Sequence, residues 1–198
     1  MKRKIKIFIV LLIVSVGASA QTILRTSGGG IIMTSGNKVG MAPAAQDLKI
    51  GDSYQGGIIF YLDGTKTHGL IAAPTDQSTG LQWGCAGSTT NATDPSVGAG
   101  RQNTTAIVAK CGDPEFAALT CVQLDLSGFK DWYLPSRSEV LLMFNNLYKK
   151  GWGSFSTVSY WSSTEADADN GFMVNFVDGN PLPKAKSVKY YVRAIRSF

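Results

Sequence analysis

The most regular hydrophobic pattern of the chain begins near residue 50. Two apolar runs, Ile58 to Leu62 and Leu70 to Ala73, are separated by a polar loop that contains glycine. Short apolar runs on either side of such a loop are typical of a β-hairpin. The sequence therefore predicts that the folded domain begins with two antiparallel strands.

Strand-like patterns return at the other end of the chain. Tyr160 to Ser162, Gly171 to Val177 and Val188 to Arg196 alternate apolar and polar residues or carry β-branched and aromatic side chains. The tripeptide Asp178-Gly179-Asn180 marks a tight turn after the second of these segments. We therefore expect three further short strands.

Helical spacing of small and apolar residues occurs between the two groups of strands. It predicts short helices near Thr104 to Lys110 and Pro114 to Val122, and a longer one from Arg137 to Lys149. The longer helix begins with a capping box, because Ser136 precedes Glu139 by three residues and each side chain can satisfy an unpaired amide. Strands at both ends with helices between them indicate an α+β domain.

The first twenty residues have a different pattern. Four lysines and arginines within the first six residues precede the apolar stretch IFIVLLIVSVG, and small residues occupy Ala18 and Ala20. This arrangement is typical of a secretory signal peptide, and its apolar stretch is shorter than a membrane-spanning helix. We predict cleavage after Ala20, with no membrane span left afterwards, and export to the periplasm, the cell surface or the extracellular space.

The region between the signal and the first hairpin lacks a sustained period. Residues 21–50 are rich in Gly, Ser and Thr, which predicts an N-terminal extension or linker with one short strand at GGGIIM. The expected organisation is therefore a signal peptide at 1–20, this extension at 21–50 and one domain at 51–198.

Net charge depends strongly on the predicted signal peptide. The whole chain carries 19 Lys and Arg against 14 Asp and Glu. Removal of the signal takes away four of those cations and no acid, which leaves 15 against 14. A nearly neutral protein gives no support to nucleic-acid binding, because that function requires a strongly basic surface.

The three cysteines predict one disulfide and one free thiol. Cys85, Cys111 and Cys121 lie in a chain that is expected to be exported, where disulfides form. The short separation between Cys111 and Cys121 favours that pair, because a short loop costs little entropy to close. The two pairings that involve Cys85 remain open as alternatives.

Cations concentrate near the C-terminus, where no acid follows Asp178. Lysine and arginine can pair with sulfate or carboxylate groups, and an exposed indole between two glycines can stack on a sugar ring. The predicted ligand-binding residues are Lys184, Lys186, Lys189, Arg193, Lys149, Lys150 and Trp152. The alternative is a charged edge strand that prevents aggregation, with its arginines paired to carboxylates such as Glu139 or Asp131.

Trp132 and Trp161 are predicted to be core residues rather than part of the ligand-binding set. Both lie at boundaries between predicted elements, where large aromatic side chains are usually buried.

One acidic segment could supply calcium ligands. The sequence EADADN places oxygen-bearing side chains in the loop after a predicted strand: Glu165, Asp167, Asp169 and Asn170. The segment lacks the glycine and the distal glutamate of an EF-hand, so a solvated hairpin loop is favoured. The prediction is therefore no metal and no other cofactor, with calcium as the alternative.

Catalytic chemistry has little support in the sequence. His68 is the only histidine and lies at the end of the first predicted hairpin, where a turn residue is expected. Every nucleophile that needs a histidine base would depend on it. We therefore predict that the protein is not an enzyme.

Seven segments occur in an order that resembles a known family. They are GGIIFYLD, HGLIAAPTDQS, QWGC, NTTAIVAKC, DWYLPSRSEV, YWSSTE and VRAIRSF, and together they extend from Gly51 to Phe198. The chain resembles the Lcl C-terminal-domain family, which is named after a Legionella collagen-like adhesin. This resemblance implies a C-type-lectin-like fold with short antiparallel strands and two to three helices.

The resemblance also implies a function, since the domain of the named adhesin binds sulfated polysaccharides and assembles as a trimer. We therefore expect an exported, non-enzymatic module that recognises an extracellular polymer, with an anionic or sulfated polysaccharide as the ligand and homo-oligomerisation as a further expectation. The alternative is a structural or protein–protein interaction module of the cell surface without carbohydrate binding. No collagen-like repeat occurs in this sequence.

Overall fold

The computed structural model describes residues 22–25, 31–35, 38–41 and 47–198. The chain divides into two compact units, Met1–Asp47 and Leu48–Phe198. The predicted signal peptide lies outside the described residues.

The first unit contains the strands β1 (Thr22–Arg25), β2 (Ile31–Ser35) and β3 (Lys38–Met41), which form an antiparallel sheet in that order. The one strand expected here, at GGGIIM, overlaps β2, and two more accompany it.

The second unit contains nine strands and three α-helices within the described residues. Its first strands are β4 (Ser53–Tyr54), β5 (Gly57–Leu62), β6 (Gly69–Ala72) and β7 (Ser78–Leu81). The helices that follow are α1 (Gly100–Lys110), α2 (Ala117–Val122) and α3 (Arg137–Asn146), with a 3-10 turn at Tyr148–Lys150. Its last strands are β8 (Ser159–Glu165), β9 (Asn170–Asn175), β10 (Pro181–Ala185), β11 (Tyr190–Val192) and β12 (Ile195–Ser197).

These strands form two sheets, which confirms the α+β class. The larger sheet has the order β10-β9-β8-β11-β7 and is antiparallel except for the parallel pair β11 and β8. The smaller sheet is antiparallel, has the order β12-β6-β5-β4 and contains the predicted hairpin as β5 and β6. One core cluster includes Trp161, Met173 and Ile107 of α1, and a second includes Tyr160, Val174 and Val140 of α3.

The strand predicted over Val188 to Arg196 is divided between the two sheets. β11 pairs with β7 and β8 in the larger sheet, whereas β12 pairs with β6 in the smaller one. Arg193 and Ala194 make the connection and are both buried. A period-two pattern identifies extended chain but not the sheet to which it belongs, and for this reason the division was missed.

Sequence reasoning also missed β10, because prolines normally argue against a strand. Asn175 donates its amide to the Asn180 carbonyl (3.0 Å). Hydrogen-bonded pairs alternate along an antiparallel ladder, so Pro181 and Pro183 occupy the positions between them, opposite Val174 and Phe172. Their nitrogens therefore face away from β9, which is the arrangement that an edge strand tolerates.

The predicted start of α3 is confirmed. Glu139 donates its amide to Ser136 Oγ (3.3 Å), and Ser136 donates its amide to Glu139 Oε2 (2.7 Å), so that both halves of the capping box are present. The α-helix ends at Asn146, earlier than expected, and the 3-10 turn continues to Lys150. Gly151 then adopts a left-handed conformation (φ 71°) that favours glycine and ends the helical segment.

The disulfide joins Cys85 to Cys111, with a Cα–Cα distance of 5.0 Å, so the favoured pairing of Cys111 with Cys121 is wrong. Cys121 lies on the buried face of α2 and has no disulfide partner in the described part of the chain. Its burial raises the pKa of the thiol. The short separation along the chain therefore did not decide the pairing: Cys121 is buried in α2, and Cys111 pairs with the more distant Cys85.

The burial of Cys121 leads to a prediction about thiol reactivity. In the folded protein we expect no labelling by a maleimide under non-reducing conditions, and one labelled site, Cys121, after unfolding in guanidinium. Mass spectrometry of the labelled peptides checks this. A labelled Cys85 or Cys111 in the unfolded, non-reduced sample would contradict the pairing.

Candidate functional site

Lys186, one of the predicted ligand-binding cations, lies in the interior. Its side chain has 0% exposure, and Nζ donates to Glu165 Oε1 (2.7 Å), to the Ser88 carbonyl (2.8 Å) and to the Ala168 carbonyl (2.9 Å). The ammonium group also lies 4.7 Å from the centre of the Trp83 ring. All three of its donors are used inside the domain, so Lys186 cannot contact an external polymer and is excluded from the predicted binding surface.

Glu165 is correspondingly unavailable as a calcium ligand. Besides the ammonium group, its carboxylate accepts the amide of Thr90 (2.8 Å) and that of Asn91 (2.9 Å). The carboxylate of Asp167 accepts amides of its own loop, from Asp169 and Asn170 (2.8 Å each). The side-chain hydrogen bond from Asn170 is the main cause that lowers the pKa of Asp167. Within the residues that the structure describes, no group of three acids, histidines or cysteines could hold a metal ion.

Arg193 is also buried and is excluded from the surface for the same reason. Its Nε donates to Asp76 Oδ1 (2.7 Å), and its Nη1 donates to the carbonyls of Ala73 (2.9 Å) and Gly153 (2.7 Å). Nη2 donates to the Ser154 carbonyl (3.3 Å). The guanidinium group therefore ties the segment that follows α3 to the end of β6.

Arg196 follows the alternative prediction, in which C-terminal arginines pair with carboxylates. Its Nε donates to Asp131 Oδ1 (2.7 Å), and its Nη1 donates to Gln55 Oε1 (2.6 Å). The pairing of Arg196 with Asp131 is thus confirmed. Most of the apparent charge asymmetry of the C-terminal segment is neutralised inside the fold.

Trp152 differs from the other tryptophans. Trp83, Trp132 and Trp161 are 0%, 2% and 0% exposed, which confirms the core placement predicted for Trp132 and Trp161, whereas Trp152 is 44% exposed. Its ring packs against Gly51, where a Cβ atom would lie 2.6 Å from the indole. One part of the indole is thus supported by backbone and another part is open to solvent.

The segment that carries Trp152 is held by hydrogen bonds on both sides. The Trp152 amide donates to the Leu147 carbonyl (3.0 Å), and the next two carbonyls, of Gly153 and Ser154, accept from Arg193. Lys149 and Lys150 are exposed in the turn directly before it. We call Lys149, Lys150 and Trp152 the Trp152 surface.

Lys184 and Lys189 are exposed but do not lie together. Lys184 is on the edge strand β10, whereas the Lys189 side chain lies beside Gly80 of β7, at the other edge of the larger sheet. Of the seven predicted residues, three are thus exposed in one short segment, two lie at separate places and two are buried.

The sequence model of the Lcl C-terminal domain family matches residues 73–196, which is more than half of the chain. This chain belongs to the Lcl C-terminal domain family. The match confirms the resemblance that the sequence motifs indicated, over residues 73–196.

Among solved structures, this Lcl C-terminal domain protein is similar to a fimbrial protein from Bacteroides ovatus ATCC 8483. The TM-score is 0.52 at 14% sequence identity, and the match covers 87% of this chain and 58% of that chain. At this identity the likeness concerns the fold. No curated protein matches the chain.

Sequence reasoning could not find the residues that support Trp152 in the Lcl C-terminal domain. Gly51 lies about a hundred positions before Trp152, and Arg193 is 40 positions after Gly153. A glycine at the start of a domain is typical of a turn, and only the fold shows that this one lies under an indole. The glycines on both sides of Trp152 were the usable signal for its exposure.

No helix within the described residues is long and apolar enough to cross a bilayer.

The burial of Lys186 leads to a prediction about stability. Lys186→Ala leaves the Glu165 carboxylate buried without its cation, and we expect the free energy of unfolding to fall by about 3–5 kcal/mol. Lys184→Ala removes an exposed lysine only two residues away and is expected to change it by less than about 0.5 kcal/mol. Urea unfolding followed by near-UV circular dichroism measures both. Equal effects of the two substitutions would contradict the interior placement.

Proposed function

We propose that this protein is an exported, adhesin-like surface module that binds an anionic extracellular polysaccharide without catalysis. Membership of the Lcl C-terminal domain family and a fold similar to that of a fimbrial protein support a surface interaction module. We also propose that the fold is C-type-lectin-like, as the family resemblance implies. The ligand class is inferred from the residues of the Trp152 surface.

The observation that carries the proposal is the 44% exposure of Trp152 in a domain that buries its other three tryptophans. An exposed indole loses the stabilisation that burial gives an aromatic side chain, so its position is better explained by contact with a ligand. A flat apolar ring offers a stacking platform for a sugar. The hydrogen bonds to Leu147 and Arg193 fix this platform before binding, which reduces the entropy lost when a ligand binds.

The two lysines of the Trp152 surface give it a preference for negative charge. Lys150 has no ion-pair partner among the described residues, and Lys149 donates to Asn145 Oδ1 (3.0 Å), which is uncharged. Both ammonium groups can therefore pair with sulfates or carboxylates along a polymer. Exposed pairs of this kind are weak and screened by salt, so strong attachment requires several copies on one polymer or one surface.

The absence of catalysis is part of the proposal and is supported by how the reactive side chains are used. The imidazole of His68 is exposed, and its Nδ1 lies 3.1 Å from Thr67 Oγ1 and 3.6 Å from Asp63 Oδ2, within one turn. The buried carboxylate of Glu139 accepts the amides of Gly98 (2.8 Å) and Ser136 (2.7 Å). Both groups have local structural partners.

The test is retention of the purified protein on immobilised heparin and on a neutral dextran, across a salt series. Lys149→Ala with Lys150→Ala is expected to weaken heparin binding about tenfold at low salt, since it removes two exposed charge pairs. Trp152→Ala should also weaken binding, but without changing the dependence on salt. Dextran should retain none of the proteins.

The matched control is Lys66→Ala with Lys110→Ala, which removes the same charge from exposed positions elsewhere in the domain, where the described part of the structure shows no ion pair. It should elute like the unchanged protein. Equal losses in the two double variants would attribute heparin binding to net charge alone. Absence of retention at low salt would refute the proposal and direct the search to neutral glycans or a protein partner.

A further inference from the structure

Arg137 carries a guanidinium group that stands apart from the other arginines of residues 47–198. Arg101, Arg193 and Arg196 all form ion pairs with aspartates. Within the described residues, the Arg137 guanidinium has neither an ion pair nor a hydrogen-bond acceptor. It is also the first residue of α3, where the positive end of the helix dipole disfavours a cation. Helix stability therefore does not explain an arginine at this position.

The guanidinium group of Arg137 lies over the ring of Phe172, 4.6 Å from its centre. Stacking on an aromatic ring occupies the flat face of the group and leaves the N–H donors at its edge available. Arg137 is only partly exposed, so water solvates it less completely than it solvates the lysines of the surface. A partly desolvated cation with unused donors binds an oxyanion more strongly than a fully hydrated one does.

Both members of this stacked pair are anchored to the same strand, β8. The Arg137 amide donates to Thr164 Oγ1 (3.0 Å), and the Phe172 carbonyl accepts from Ser162 Oγ (2.8 Å). Ser162 and Thr164 are themselves buried. The backbone on each side of the pair is thus fixed, and its geometry does not have to form on binding.

The backbone amides next to Arg137 are already used, so the N–H groups at the edge of its guanidinium are the donors that a ligand can reach. The amides of Ser138 and Glu139, which open the first turn of α3, already donate to the Pro95 carbonyl (3.0 Å) and to Ser136 Oγ (3.3 Å). Pro183 is paired with Phe172 across β9 and β10, is exposed and brings no charge. The helix N-terminus itself is therefore not the binding group.

We propose that Arg137, stacked on Phe172, is an oxyanion-binding subsite that takes a carboxylate or sulfate group. A guanidinium edge offers two parallel N–H donors, which match the two oxygens of either group. The subsite lies at the start of α3, roughly 18 Å along the helix from Lys149 and Lys150. It is distinct from the Trp152 surface and does not depend on it.

The test uses nuclear magnetic resonance of the 15N-labelled protein at constant ionic strength. It follows the Nε–Hε signal of Arg137 in the unchanged protein and the backbone amide signals of residues 137 and 172, which every variant retains. The probes are sodium acetate, sodium sulfate and a heparin-derived tetrasaccharide, so that free ions are distinguished from groups carried on a polymer. A saturable shift with any of the three is expected. Arg137→Gln should weaken that binding about tenfold or more, and Arg137→Lys should weaken it less, because a lysine keeps the charge but not the paired donors.

Two further variants separate a binding role from a structural one. Phe172→Leu keeps the apolar volume but removes the aromatic face, and it should weaken binding to an intermediate extent. Lys110→Gln removes an exposed charge elsewhere and should leave the affinity unchanged. If the stack were only structural, Arg137→Gln would lower the thermal unfolding midpoint and leave the anion affinity at that of Lys110→Gln.

Either equal affinities in Arg137→Gln and Lys110→Gln, or no saturable shift with all three probes, would overturn the proposal. The Trp152 surface would be unaffected by that result, because its test is retention on heparin in the Lys149 and Lys150 variant. Conversely, loss of heparin retention in that variant would not change the result expected for Arg137, because the two sites are independent.

Discussion

The fold of residues 48–198 depends on one buried ion pair, between Lys186 and Glu165. An isolated buried charge is expensive, and the pair is tolerated because both groups also complete hydrogen bonds with the backbone. Lys186 binds the carbonyls of Ser88 and Ala168, while Glu165 binds the amides of Thr90 and Asn91. The pair therefore connects the end of β8, the turn before β11 and the long loop after β7, and it adds to the backbone hydrogen bonds between these segments, such as the one from the Glu165 amide to the Ala92 carbonyl (2.8 Å).

Buried polar side chains satisfy backbone groups elsewhere in the domain as well. Glu139 accepts amides from Gly98 and Ser136, and desolvation by burial raises the pKa of its carboxyl group. Arg193 gathers carbonyls from two segments. In each case a polar side chain satisfies the backbone groups of an irregular segment that the hydrophobic core does not cover. Buried polar residues in this domain are thus part of its architecture, and their presence in a sequence motif is not evidence for a site.

This architecture explains which features the sequence could predict. The hairpin of β5 and β6, the capping box and the placement of α3 depend on residues close together along the chain, and local patterns were sufficient for them. The exposure of Lys184 and the burial of Lys186 could not be predicted from the sequence. Both lie in the same cationic segment and differ only in whether they face Glu165, which is 21 positions away from Lys186. The disulfide and the division between β11 and β12 were missed for the same reason, since each is decided by a distant partner.

The internal ion pairs leave only part of the predicted cationic set on the surface. Of the seven residues predicted to bind the ligand, two stabilise the interior and two lie apart from the others. The remaining residues are associated with one helical segment: α3 begins at Arg137, its 3-10 extension carries Lys149 and Lys150, and Trp152 follows directly after Gly151, where that segment ends. A rigid helix fixes the separation between its ends, so a ligand that contacted both would need negative groups at that spacing. A polymer with repeated charges satisfies such a requirement, whereas a small anion could occupy only one end at a time.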